Sequence, residues 1–85
     1  MFEDRYAQLN ERIGKLREDI AYRTKEIKFL ENLLVINPKR ADDIKKAIEF
    51  NKTRLELNNI GIQGCLDDIT TLKISELEQT CTELL

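Results

Sequence analysis

The chain reads as an all-α protein, an antiparallel helical hairpin of coiled-coil type. Three observations predict this. An unbroken heptad row occupies the first third of the chain, a single Asn37-Pro38 break follows it, and a second heptad row follows the break. The first row is Phe2, Tyr6, Leu9, Ile13, Leu16, Ile20, Arg23, Ile27, Leu30 and Leu34. Its spacing alternates four and three, and only Arg23 interrupts its apolar character. Composition agrees. Charged residues make up 35%, there are three glycines and one proline, and Trp and His are missing. Long exposed helices have this balance.

With Phe2 at d, the a positions of helix 1 are Tyr6, Ile13, Ile20, Ile27 and Leu34, and Leu9, Leu16 and Leu30 fall at d. Ile at a with Leu at d suits tight two-helix packing. Glu3 and Asp4 stand in the first turn, where the helix dipole favours acids. The helix is expected from Phe2 to Ile36, about 50 Å. A second apolar line, Tyr22, Phe29, Leu33 and Ile36, lies off the seam and calls for another neighbour.

Asn37-Pro38 stops helix 1, because proline drives the preceding residue out of the helical region. The same pair suits a helix start, with Asn37 as N-cap and Pro38 as the first helical residue. Lys39 and Arg40 would then sit badly with the dipole, which leaves a later start near Asp42 open. A turn at 37–38 makes the two helices antiparallel neighbours, with opposed residues summing to about 75.

Helix 2 is expected from about 38 to 72, with Ile48, Leu55, Ile62 and Ile69 at a, and Ile44, Asn51, Asn58, Cys65 and Leu72 at d. The pairing rule brings Arg23 near Asn51, with Glu49 and Glu56 within a turn, as a polar layer inside the hairpin. The alternative is that Arg23 snorkels to solvent. Gly61 and Gly64 weaken the stretch 58–64, each costing about 1 kcal/mol in a helix interior. A loop there would give a monomeric three-helix bundle. The phase kept from Ile48 to Ile69 favours one continuous helix, and the glycines, placed off the seam, could admit a further helix.

The segment 74–85 changes phase. Ile74, Leu77, Cys81 and Leu84 form a stripe out of step with Ile69, and Ser75 with Glu78 resembles a capping box. By the pairing rule these residues pass beyond the start of helix 1 and lack a partner there.

Enzyme chemistry is poorly supplied. No histidine, phosphate loop, metal spacing or cofactor motif is present, so no enzyme, cofactor or metal is expected. Arg23 resembles the buried arginines of the all-helical chorismate mutases, but that family's arrangement of basic and acidic residues is missing. Cys65 and Cys81 would lie roughly 24 Å apart on one helix, too far for a disulfide. With no long apolar run and no signal-like N-terminus, a reduced, cytoplasmic protein without a membrane span is expected.

Charge is uneven. Residues 1–54 carry thirteen basic and ten acidic side chains, and residues 55–85 carry one basic and six acidic. Lys39, Arg40, Lys45 and Lys46 gather at the hairpin tip, interspersed with Asp42 and Asp43. They are the candidate nucleic-acid contacts. A heptad-patterned helical hairpin resembles in overall shape the Rop-type RNA-binding bundles. That likeness is architectural and matches no motif.

The preferred reading is protein–protein association. Tyr22, Phe29, Ile36, Phe50 and Leu57 are the expected self-association residues of a homodimeric four-helix bundle. Ile74, Leu77, Cys81 and Leu84 are expected at the dimer contact or on a second protein partner. The expected role is that of a small adaptor, scaffold or regulator.

Overall fold

The computed structural model describes residues 2–84. Helix α1 spans Phe2–Ile36, a single 3-10 turn spans Pro38–Arg40, and helix α2 spans Ala41–Leu84. The two helices pack along each other as an elongated hairpin of 72 × 14 × 12 Å, and among the described residues there is no strand.

The break behaves as its residues dictate, with one difference. Asn37 leaves the helix, its N–H donating to the Leu33 carbonyl at 2.8 Å, and its side chain caps nothing. Helix α2 proper begins at Ala41, not at Pro38. The physical reason is charge placement. Lys39 and Arg40 stay in the 3-10 turn, and Asp42 and Asp43 take the first turn of α2, where the dipole favours them.

The seam buries two separate apolar clusters. Near the tip, Ile27 and Leu30 pack on Ile44 and Ile48. Toward the open end, Leu9 and Ile13 pack on Cys65, flanked by Ile62, Ile69 and Leu72. Between them lies the polar layer set by Arg23, Asn51 and Asn58. A two-helix core is thin, and among the described residues no large side chain is wholly enclosed.

Helix α2 runs through 58–64 without a break, so the three-helix alternative is not the fold of this chain. Gly61 proves to face α1. A Cβ there would lie 3.1 Å from Leu16 Cδ1, so this glycine serves close approach within the hairpin. Gly64 has open space around it. Gly64→Ala is therefore expected to stabilise the helix by about 1 kcal/mol from propensity, and Gly61→Ala to gain less because Leu16 must shift. Thermal melts of the two variants check the order.

Helix α2 also continues past Ser75 with no fresh start, overhanging the beginning of α1. The overhang is not wholly unpartnered. Tyr6 Oη donates to Glu76 Oε2 at 2.9 Å. Helical side chains lean toward their own N-terminus, and in an antiparallel hairpin this aims Tyr6 at a later part of α2. Burial, and then the hydrogen bond to the Glu76 carboxylate, raise the Tyr6 phenol above its ordinary value of 10.

Candidate interaction surface

The polar layer turns Arg23 inward. Its Nη1 donates to Asn51 Oδ1 at 3.1 Å, and Asn51 Nδ2 donates to the Ala47 carbonyl at 2.9 Å. The acid of the layer is Asp19, one turn before Arg23 on α1. Glu49 and Glu56, expected there from the pairing rule, are exposed. Asp19 Oδ2 accepts from Asn58 Nδ2 at 2.7 Å and from Arg23 Nε at 3.4 Å. Both asparagines are buried, and no buried side-chain polar atom among the described residues lacks a partner. Polar residues in a seam cost stability and hold register.

The Asn58 hydrogen bond, helped by the nearby charge of Arg23, holds the Asp19 carboxyl below its ordinary value of 3.8. The folded chain therefore favours the anion. Its contribution is fully present above the unfolded pKa and is lost as pH falls through the lower folded value. Stability is expected to decline below about pH 4, and Asp19→Asn to flatten that part of the profile. Denaturant melts between pH 5 and pH 2 would show it. An unchanged slope would place the acid sensitivity elsewhere.

Arg23 also organises the surface above it. Its guanidinium carbon lies 5.5 Å from the centroids of both the Tyr22 and the Phe50 ring. Tyr22 on α1 and Phe50 on α2 thus stand on the same side of the hairpin. Their heptad mates Phe29 and Ile36 on α1, and Leu57 on α2, continue that side. All five self-association candidates are exposed, from 50% at Leu57 to 78% at Ile36.

The same side carries two hollows. One, of about 360 Å³, lies over Gly61 and Gly64 and is walled by Arg5, Gln8, Arg12 and Asp68. The other, of about 220 Å³ at the tip, is lined by Leu33, Arg40, Asp43 and Ala47 among others.

The overhang presents a different face. Ile74 and Leu77 are about half exposed, and Cys81 is a free, exposed thiol; Cys65 is also free but buried. The side chain of Leu84, the fourth residue of this stripe, lies outside the described residues.

At the tip, Lys39, Arg40, Lys45 and Lys46 are all exposed. Arg40 is engaged by Asp43, with Nη2 to Oδ2 at 3.0 Å. Among the described residues no cluster of acids and cysteines could hold a metal, and no helix is long and apolar enough to cross a membrane.

The fold and surface define a helical hairpin of coiled-coil class with one apolar side. The chain matches no protein family, no curated protein and no solved structure.

Proposed function

We propose that this chain is a non-enzymatic protein–protein interaction module that works through helix–helix packing, as a homodimeric four-helix bundle serving an adaptor, scaffold or regulatory role. One observation carries the reading. Tyr22, Phe29, Phe50 and Leu57 are half or more exposed on one side of a hairpin whose seam is already filled. Contiguous apolar surface of this kind marks association sites. Light scattering across a dilution series tests it. A dimer that holds on dilution supports the reading, and a stable monomer removes the homodimer.

Ile74, Leu77 and Cys81 on the acidic overhang are the proposed contact for a second protein, by the helix-in-groove mode. Leu77→Asp is expected to weaken that contact and leave hairpin helicity unchanged. Circular dichroism beside a binding assay separates the two. A general loss of helix would place Leu77 in the core instead.

The exposed tip lysines support a second reading, nucleic-acid binding through Lys39, Arg40, Lys45 and Lys46. Phosphate contacts require an affinity that falls steeply with salt and with neutralisation of these residues. The pairing of Arg40 with Asp43 and the interspersed Asp42 make it the weaker one.

A further inference from the structure

Helix α2 exchanges its polar and apolar flanks where α1 runs out. Asp68 pairs with Arg5 at 3.8 Å, which sets the start of α1 against the turn of α2 around Leu72. Up to that level the seam row of α2 is apolar, through Ile62, Cys65, Ile69 and Leu72. Beyond it the same row continues as Glu76, Gln79 and Glu83. Glu76 faces α1, since it accepts from Tyr6 Oη at 2.9 Å. By helical geometry Ile74, Leu77 and Cys81 then lie on the outer flank, turned away from α1. Ile74 is 52% and Leu77 54% exposed, and Cys81 is exposed too. Between Ile60 and Ile74 this flank carries the exposed Gln63, Asp67 and Thr70, so a new apolar stripe opens at Ile74. Apolar residues at this helical spacing mark a face that packs on a neighbour.

Charge states the chemistry of that neighbour. Residues 74–84 carry three glutamates and no lysine or arginine. By helical position Glu78 borders the stripe on one side and Glu83 on the other. Glu76 is engaged within the hairpin, by Tyr6 and by Lys73 Nζ at 3.9 Å. Among the described residues no ion pair engages Glu78 or Glu83, and both are exposed. A second overhang laid alongside would set glutamates against glutamates, which disfavours that pairing. A cationic helix meets unlike charge on both borders of the stripe.

We infer that the outer flank of the overhang docks a basic amphipathic helix of another protein, whose apolar face covers Ile74, Leu77 and Cys81 and whose lysines or arginines meet Glu78 and Glu83. The inference rests on the second-partner reading above and adds the charge of the partner. From Ile74 to Cys81 the stripe spans about two turns, so the contact is smaller than the roughly 1,200 Å² at which specific interfaces begin. The complex is therefore a transient one. With so little apolar area, selection between helical partners falls to the bordering charges.

Fluorescence anisotropy of the full chain with two labelled synthetic helices tests it. Both peptides share one leucine face, and the opposite face carries lysine in one and glutamate in the other. The expected result is binding of the lysine peptide, weakened by salt, and none of the glutamate peptide. Leu77→Asp adds a negative charge, so attraction by charge alone would hold or strengthen the lysine peptide. Docking on the stripe instead predicts a loss of at least about tenfold. Glu78→Lys with Glu83→Lys should weaken the lysine peptide and admit the glutamate peptide, with helix content by circular dichroism unchanged in all variants. Equal binding of both peptides, lost in Leu77→Asp, would overturn the inference and leave the second-partner reading intact. Lysine-peptide binding that survives Leu77→Asp would be unspecific attraction and would overturn the inference. Binding of neither peptide would overturn both. If Leu77→Asp then also lowered the mass of the chain alone by light scattering, a second copy would be the occupant.

Discussion

Leu9→Ala is expected to destabilise the hairpin by about 2–3 kcal/mol and to loosen one half more than the other. Leu9 is 3% exposed, the lowest value among the buried apolar residues, and it anchors the open-end cluster with Ile13 and Cys65. Truncation removes its transfer energy and leaves a void that a two-helix core closes only partly. A chain of this size has about 4–13 kcal/mol of stability in total, so the loss is a large fraction. The Asp19–Arg23–Asn51–Asn58 layer separates this cluster from the tip cluster of Ile27, Leu30, Ile44 and Ile48. Amide exchange should therefore accelerate first around residues 5–16 and 61–72, and the tip should keep its protection. Ile48→Ala should show the reverse. Equal acceleration along the whole chain in both variants would mean that the polar layer does not divide the core.

Phe29→Glu is expected to abolish self-association at concentrations where the wild type is dimeric. The phenyl ring is 59% exposed in the hairpin, so the hairpin itself should change by no more than about 0.5 kcal/mol. At the proposed interface the ring is an aromatic anchor, and burying a carboxylate there should cost at least about 2 kcal/mol, roughly thirtyfold in Kd. Sedimentation equilibrium with circular dichroism on the same samples measures both quantities. Phe50→Glu provides a contrast. It should weaken the dimer and also cost hairpin stability, because Phe50 is one of the two rings against the Arg23 guanidinium. If Phe29→Glu left the dimer intact, the exposed line on α1 would not be the contact.

Most of the architecture was legible because the seam is periodic. Positions a and d face the partner helix, so the apolar residues Leu9, Ile13, Ile27, Ile44 and Ile48 announce themselves there, and the proline marks the turn. The pairing of Arg23 with Asn51 was also legible, since a tight turn sets the register. Asp19 was not. It stands beside the seam, where a charged residue reads as an ordinary solvated face, and its partner across the hairpin, Asn58, is 39 positions away. The role of Gly61 within the hairpin was hidden for a related reason. Its heptad position marks it as flanking, but whether the helices come close enough for a Cβ to strike Leu16 depends on the interhelical distance. The reach of Tyr6 to Glu76 depends likewise on the lean of a side chain.

The sequence by itself determined the two helices, the single turn between them, the antiparallel register and a polar interruption of the seam. These follow from local periodicity and chain connectivity, which every residue in the pattern reports. The tertiary structure decided which side each off-seam residue shares with residues of the other helix. Tyr22 and Phe50 belong to one surface because the Arg23 guanidinium lies against both rings, and the same surface holds the hollow over Gly61 and Gly64. Such placement depends on interhelical distance and side-chain direction, which a one-dimensional pattern does not carry.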